Sequence, residues 1–176
     1  MRLRDMEEHH SPPQFSVVLP THNRSRMLRR AIKSVLDQEH SSWELIIVDD
    51  GSTDDTPEVA RSFDDPRVRY IRTPNRMVAA ARNSGIAHAT GDYICFLDDD
   101  DEYLPRHLTV CETALRNRGY PECLLYTLPY RETNGTRTPF SDFRSTPESP
   151  IMIGYNPETP NICVRRTILL DLRFIE

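Results

Sequence analysis

None of the four cysteines, Cys95, Cys111, Cys123 and Cys163, forms a CxxC pair, so neither a zinc site nor a disulfide framework is indicated. A reducing, cytoplasmic setting suits such isolated thiols. Long apolar runs are missing as well. Nowhere does one approach the roughly 20 residues of a membrane-spanning helix, and the polar opening MRLRDMEEHHSPPQ lacks the apolar centre of a signal peptide. That excludes an integral membrane segment and leaves room for peripheral association. Nor is there an excess of positive charge, because 22 Lys and Arg against 27 Asp and Glu give a formal net charge of -5. No global field then draws in nucleic acid or an anionic surface. Finally, the chain has no Walker GxxxxGK[ST] loop and no GxGxxG after its first apolar run, which removes the P-loop and dinucleotide fingerprints.

What is present is ordinary globular material, with 38% hydrophobic and 28% charged residues in 176, enough for one folded domain with a real core. Behind a polar leader over 1–14, in which His9 and His10 read as solvated tail, strand and helix signals alternate. Phe15 to Leu19 is a short apolar run closed by Pro20, the texture of an interior parallel strand. Ser25 is placed to cap a helix whose apolar positions Leu28, Ala31, Ile32, Val35 and Leu36 recur at helical spacing. Further strands are expected at Glu44–Val48, Val68–Ile71, Tyr93–Leu97 and Cys123–Leu128, and helices after Thr56-Pro57, over Met77–Ala89 and over Arg106–Arg116. Such alternation predicts an α/β fold, an open and mostly parallel sheet with helices on both faces, over residues 15–128. From 129 onward six prolines punctuate a polar stretch, read as one irregular excursion before a strand at Asn161–Arg165 and a short helix near Ile168–Leu172.

Acidic residues gather at two strand ends, Asp49 with Asp50 and Asp98 through Asp101. Both fall on the edge where open α/β sheets bind ligands, so the two clusters are expected to share one cleft. Four consecutive aspartates repel one another; a cation can neutralise them, or some can point to water as a solvated helix-capping turn. An EF-hand is excluded, since Tyr103 stands where glycine is needed and Thr109 where the bidentate glutamate belongs. An aspartate-nucleophile DxDxT motif is excluded too, because Gly51 occupies its third position.

Taken together, FSVVLPTHNR at 15–24, IIVDDGSTDDT at 46–56, AAARNSGI at 79–86 and GDYICFLDDDD at 91–101 resemble glycosyltransferase family 2, whose members are inverting enzymes of the GT-A fold. The resemblance implies a nucleotide-sugar donor, by default a UDP-sugar, and an unspecified sugar, lipid or polysaccharide acceptor. By the same resemblance Pro20 and Thr21 touch the nucleoside and Asp50 bonds the base. Asp98 and Asp99 hold the ribose or a metal-bound water, and Asp100, with Asp98, binds Mn²⁺ or Mg²⁺. Arg82, next to Asn83, would reach the pyrophosphate or fix an aspartate of the cluster. Two departures stand out. Arg76 and Met77 follow Asn75 where the family usually has glycines. The ending LDLRFIE resembles the stretch just before the family's later Glu-Asp motif, which implies a catalytic base beyond Glu176 and a 129–176 region that stops short of it; Asp171 and Glu176 are the fallback carboxylates. Two other classes remain open: a non-catalytic nucleotide-binding module of the same fold, and a sugar-nucleotide pyrophosphorylase. The second should carry a glycine- and lysine-rich loop where PTHNR stands.

Overall fold

The structure, a computed structural model, describes residues 14–125, 130–133, 136–139, 162–172 and 174. Residues 1–13 of the leader, with His9 and His10, and most of the proline-rich stretch lie outside them. Strand β1 (Phe15–Thr21) is followed by α1 (Ser25–Leu36), β2 (Trp43–Asp49), α2 (Thr56–Arg61), β3 (Val68–Arg72), α3 (Met77–His88), β4 (Tyr93–Phe96) and α4 (His107–Asn117). Then come β5 (Cys123–Leu125), β6 (Tyr130–Thr133), β7 (Thr136–Pro139), β8 (Ile162–Arg165) and α5 (Arg166–Asp171). Six strands form one sheet in the order β3-β2-β1-β4-β8-β5. β1 to β4 run parallel, and β8 enters antiparallel between β4 and β5.

β1 and β2 are buried along their whole length, as expected of central strands covered on both faces. Side-chain alternation splits the core in two. Phe15, Val17 and Leu19 face Leu28, Ile32 and Val35 of α1 and Leu108 and Leu115 of α4, whereas Val18 joins Ala81 and Ile86 of α3 on the opposite face. On that second face the helix lies very close to the sheet, because Gly85 of α3 presents no side chain to Val18.

Two expectations need correction. Ser25 does not cap α1 but is its first residue; Arg24 holds the cap position, with no side-chain cap bond. The Ser25 N–H is instead satisfied from outside the helix, by the Asp54 carboxylate at 3.2 Å. The stretch after 129 is also not uniformly irregular, since β6 and β7 pair as an antiparallel ribbon from Tyr130↔Pro139 to Thr133↔Thr136. Between them stand Asn134 and Gly135, the commonest two-residue hairpin signal, which the surrounding prolines obscure.

At the amino-terminal edge of the sheet, away from the acidic strand ends, Glu44 is a buried knot. It accepts hydrogen bonds from Ser16 Oγ at 2.6 Å, Thr90 N at 2.6 Å, Thr90 Oγ1 at 2.8 Å and Gly91 N at 3.2 Å. Burial pushes its carboxyl up, but the Ser16, Thr90 and Gly91 bonds outweigh that and hold it below the usual value. A depressed carboxyl stabilises the fold above its unfolded pKa, and that contribution is lost as pH falls through the folded one. Glu44→Gln is therefore expected to destabilise the chain by on the order of 2 kcal/mol at neutral pH. Denaturant melts should show this gap to wild type closing as pH is lowered below the ordinary carboxylate range; a pH-independent gap contradicts the assignment.

Candidate functional site

The turns after β1, β2 and β4 meet at one edge of the sheet because the three strands are neighbours. Asp50 N donates to Thr21 O at 2.9 Å, and Leu97 N to Val18 O at 3.1 Å. Their side chains, with the first turns of α3, enclose a cleft of about 480 Å³ lined by Pro20, Thr21, His22, Arg24, Asp50, Val78, Ala81, Arg82, Asp98, Asp99 and Asp100. The donor- and metal-site residues anticipated from sequence, Pro20, Thr21, Asp50, Arg82, Asp98, Asp99 and Asp100, all line this one cleft. A separate groove of about 310 Å³ runs between α3 and α5, lined by Thr73, Arg76, Asn83, Leu169, Leu170 and neighbours. None of its lining residues among those described carries a carboxylate.

The two aspartates after β2 divide the work. Asp49 is fully buried and structural: Oδ1 accepts the Ser52 N–H at 2.8 Å, closing the turn, and Oδ2 accepts the Tyr70 hydroxyl at 2.5 Å. Burial and this bond to Asp49 push the Tyr70 phenol up to about 12. Gly51 makes the turn with φ 77°, and a Cβ there would stand 3.0 Å from Asn75 N. Asp50 lines the cleft instead. Its Oδ1 accepts the Arg76 N–H at 2.9 Å and the Thr73 hydroxyl at 3.3 Å, while Oδ2 takes no hydrogen bond among the described residues.

In the second cluster Asp98, Asp99 and Asp100 each meet a guanidinium. Asp98 Oδ1 accepts from Arg82 Nη2 at 2.7 Å. Asp99, only 6% exposed, accepts from Thr21 Oγ1 at 2.7 Å and Arg24 Nη1 at 3.1 Å. The same Arg24 nitrogen lies 2.6 Å from Asp100 Oδ2. Arginine thus supplies counter-charge to three of the four adjacent carboxylates. Burial raises the Asp99 carboxyl above its usual value, with the Thr21 and Arg24 contacts working against the shift. Asp99 alone raises the Arg24 guanidinium most, and Asp100 adds to it.

Arg24 and His22 also line the cleft, though sequence reasoning left them unassigned. The signal was there for Arg24, a cation directly after the first strand of a sheet whose fourth strand ends in aspartates. His22 was not foreseeable, because its role is set by contact: Nδ1 lies 2.8 Å from the Asp50 carbonyl. A carbonyl only accepts, so Nδ1 carries the proton and Nε2 accepts from Asn23 Nδ2 at 3.0 Å.

The loop after β3 keeps a glycine-like backbone without a glycine. Met77, at the first position of α3, has φ 73°, a left-handed conformation that costs a non-glycine residue roughly 1–2 kcal/mol. Its side chain is exposed, so no packing compensates. Met77→Gly should be tolerated with little change in Tm, since relief of strain offsets the extra chain entropy of about 0.5–1 kcal/mol. Met77→Val, β-branched at the same φ, should lower stability by more than about 1 kcal/mol. Equal melting temperatures for the two variants would contradict a left-handed Met77.

For a divalent cation the cleft offers hard carboxylate oxygens on Asp98 and Asp100, both partly exposed. Among the described residues no three His, Cys, Asp or Glu side chains are grouped to hold a metal by themselves. That donor set suits Mg²⁺ or Mn²⁺ arriving with a phosphate ligand, which needs only one or two protein carboxylates. Of the fallback bases, Asp171 is exposed at the end of α5, and Glu176 lies outside the described residues. Among the described residues no helix is long and apolar enough to cross a membrane.

An open α/β sheet whose carboxyl-end turns enclose a polar cleft defines a ligand-binding protein of the doubly wound class. Residues 16–164 match the family model described as Glycosyl transferase family 2, and the chain belongs to that family. It is 46% identical over 101 residues to the putative colanic acid biosynthesis glycosyl transferase WcaA of Escherichia coli, covering 56% of this chain and 36% of that protein. To the GalNAc(5)-diNAcBac-PP-undecaprenol beta-1,3-glucosyltransferase of Campylobacter jejuni it is 38% identical over 127 residues, 69% of this chain and 40% of that one. The chain thus spans well under half the length of these two relatives. Among solved structures, S. aureus TarS in complex with UDP-GlcNAc superposes with a TM-score of 0.70 at 24% identity, over 90% of this chain and 47% of that one. Mannosyltransferase PcManGT from Pyrobaculum calidifontis, in complex with GDP-Man and Mn²⁺, gives 0.55 at 26% identity over 60% and 33%. The fold is GT-A, as the resemblance implied.

Proposed function

We propose that the chain binds a nucleoside diphosphate-sugar, with uridine as the nucleoside, and serves an inverting transfer of that sugar to an acceptor hydroxyl with the help of Mn²⁺ or Mg²⁺. The observation that carries this reading is the convergence of Thr21, Asp50, Arg82, Asp98, Asp99 and Asp100 on one cleft, in a chain of glycosyl transferase family 2. Support for a nucleotide sugar with a metal comes from the mannosyltransferase, which holds GDP-Man and Mn²⁺. Glycosyl transfer to a lipid diphosphate carrier is in the name of the Campylobacter jejuni relative.

In this reading Pro20 and Thr21 form the floor under the nucleoside, and Asp50 accepts the imide N–H of uracil. The loop bonds from Arg76 and Thr73 to its Oδ1 hold the carboxylate in place for that contact. Asp99, fixed by Thr21 and Arg24, faces the ribose. Asp100 and Asp98 would hold the cation, which as a Lewis acid neutralises charge on the departing diphosphate. Arg82 orients Asp98 and brings a fixed positive charge to the same place.

Calorimetric titration with UDP, GDP and dTDP in the presence of Mn²⁺ tests the assignment. UDP is expected to bind best, and Asp50→Ala to weaken it roughly 10-fold, the worth of a hydrogen bond to a charged group. Unchanged affinity in the variant removes Asp50 from the site, and a preference for GDP removes uridine.

A further inference from the structure

Beyond the roles set by the cleft itself, the chain that follows α5 returns to the donor side of the sheet at Phe174. Asn83 of α3 grips that residue by its backbone: Nδ2 donates to Phe174 O at 3.0 Å, and Phe174 N donates to Asn83 Oδ1 at 2.9 Å. A single side-chain amide thus satisfies both main-chain groups of one residue, which fixes position and rotation together. The phenyl ring so held packs edge-on to Phe96 at 5.5 Å, the last residue of β4 and two before Asp98. Its face lies under the Arg82 guanidinium, 5.6 Å from ring centroid to Cζ.

Arg82 needs such a support. Its Nη2 bonds Asp98, but its Nε is buried with no hydrogen-bond partner among the described residues. A desolvated donor without an acceptor is costly, and the negative face of an aromatic ring is the contact that partly offsets it.

We propose that Phe174 is a positioning residue for the donor site: clamped by Asn83, it holds Arg82 against Asp98 and so ties the segment after α5 to the nucleotide diphosphate. This rests on the donor reading of the cleft given above. The role explains why arginine and asparagine stand side by side at 82 and 83 on α3. One reaches into the cleft, and its neighbour secures the shelf beneath it.

The test has a readout that needs no ligand. In ¹⁵N NMR of the 176-residue chain the Arg82 Nε–H, assigned by its loss in Arg82→Gln, is expected as a slowly exchanging resonance. It should survive in Phe174→Tyr and collapse into the solvent-averaged arginine signal in Phe174→Leu and Asn83→Ala. The milder Phe174→Leu keeps apolar bulk, so its thermal melt should stay close to wild type. Calorimetry with UDP and Mn²⁺ should then show Phe174→Leu weakening binding roughly 3- to 10-fold, the scale of a partly desolvated cation–π contact, with Phe174→Tyr restoring it. In an Arg82→Gln background Phe174→Leu should change nothing further. An Arg82 signal that exchanges fast in wild type, or that survives in Phe174→Leu, overturns the latch. So does an equal loss of affinity in both backgrounds. Wild type that binds no nucleoside diphosphate overturns the donor reading and this role with it, whereas wild-type binding that Phe174→Leu leaves intact overturns the role alone.

Discussion

Asp100→Asn is expected to erase the Mn²⁺ dependence of UDP affinity and, in a protein that transfers sugar, to slow the transfer by about 10²- to 10³-fold. That is the range for removing one group that stabilises charge developing in a transition state. The physical case begins with the carboxylate's surroundings. Asp100 is half exposed and, among the described residues, held only by the Arg24 nitrogen it shares with Asp99, so it can exchange that partner for a ligand. Asp99 is not, being buried and bonded by Thr21 as well. A neutral amide keeps the shape of Asp100 but loses the charge a hard cation requires. UDP titrations of wild type and variant, each with Mn²⁺ and with chelator, decide the matter. If chelation leaves wild-type affinity unchanged, the cation has no part in binding and Asp100 is not its ligand.

Gly85→Ala should strongly destabilise the chain. A Cβ built at Gly85 stands 2.3 Å from Val18 Cγ1 and 3.1 Å from its Cγ2, and Val18 cannot turn away. It is β-branched, fully buried and in the middle of β1, between β2 and β4. Relief must come from α3 lifting off the sheet, and overpacking of this kind costs roughly 1–3 kcal/mol. The same displacement moves Arg82, less than one turn before Gly85 on α3, away from Asp98. Denaturant melts should record the loss of stability. UDP affinity measured at a temperature where the variant is still folded should fall as well. A stable Gly85→Ala chain would mean that the helix and sheet are less tightly apposed than described.

Much of the site was legible in the sequence because its residues sit at strand ends. In an open α/β sheet the carboxyl end of each strand is a fixed address, so a run such as IIVDDGS announces both a strand and where its aspartates emerge. The cleft shared by Asp50 and Asp98–Asp100 followed from that regularity, whereas the GT-A expectation and the inclusion of Arg82, which sits on helix α3, came from the resemblance to glycosyltransferase family 2. Less legible was anything decided by side-chain pairing across the chain. Strand-end position alone did not separate Asp49 from Asp50, and only the family resemblance pointed to Asp50; contacts with Tyr70 and Ser52 make Asp49 structural. Arg24 carried no assignment until the fold set it between Asp99 and Asp100. Asn134 and Gly135 marked a hairpin, yet proline content dominated the reading of that region.

From sequence alone came the class of fold and the identity of the family, because hydrophobic runs and strand-end motifs are local and survive without knowledge of contacts. The cysteines show the boundary most simply. Spacing alone set Cys95 and Cys163 apart as unrelated thiols, whereas the antiparallel entry of β8 makes them facing neighbours, both buried and free. Tertiary structure alone also decided which carboxylate is buried and which half exposed, which guanidinium answers each aspartate, and that Phe174 comes back beneath Arg82. These depend on strand order and on how closely α3 can approach β1 at Gly85, and no local pattern in the chain encodes the distance between two segments that meet only when folded.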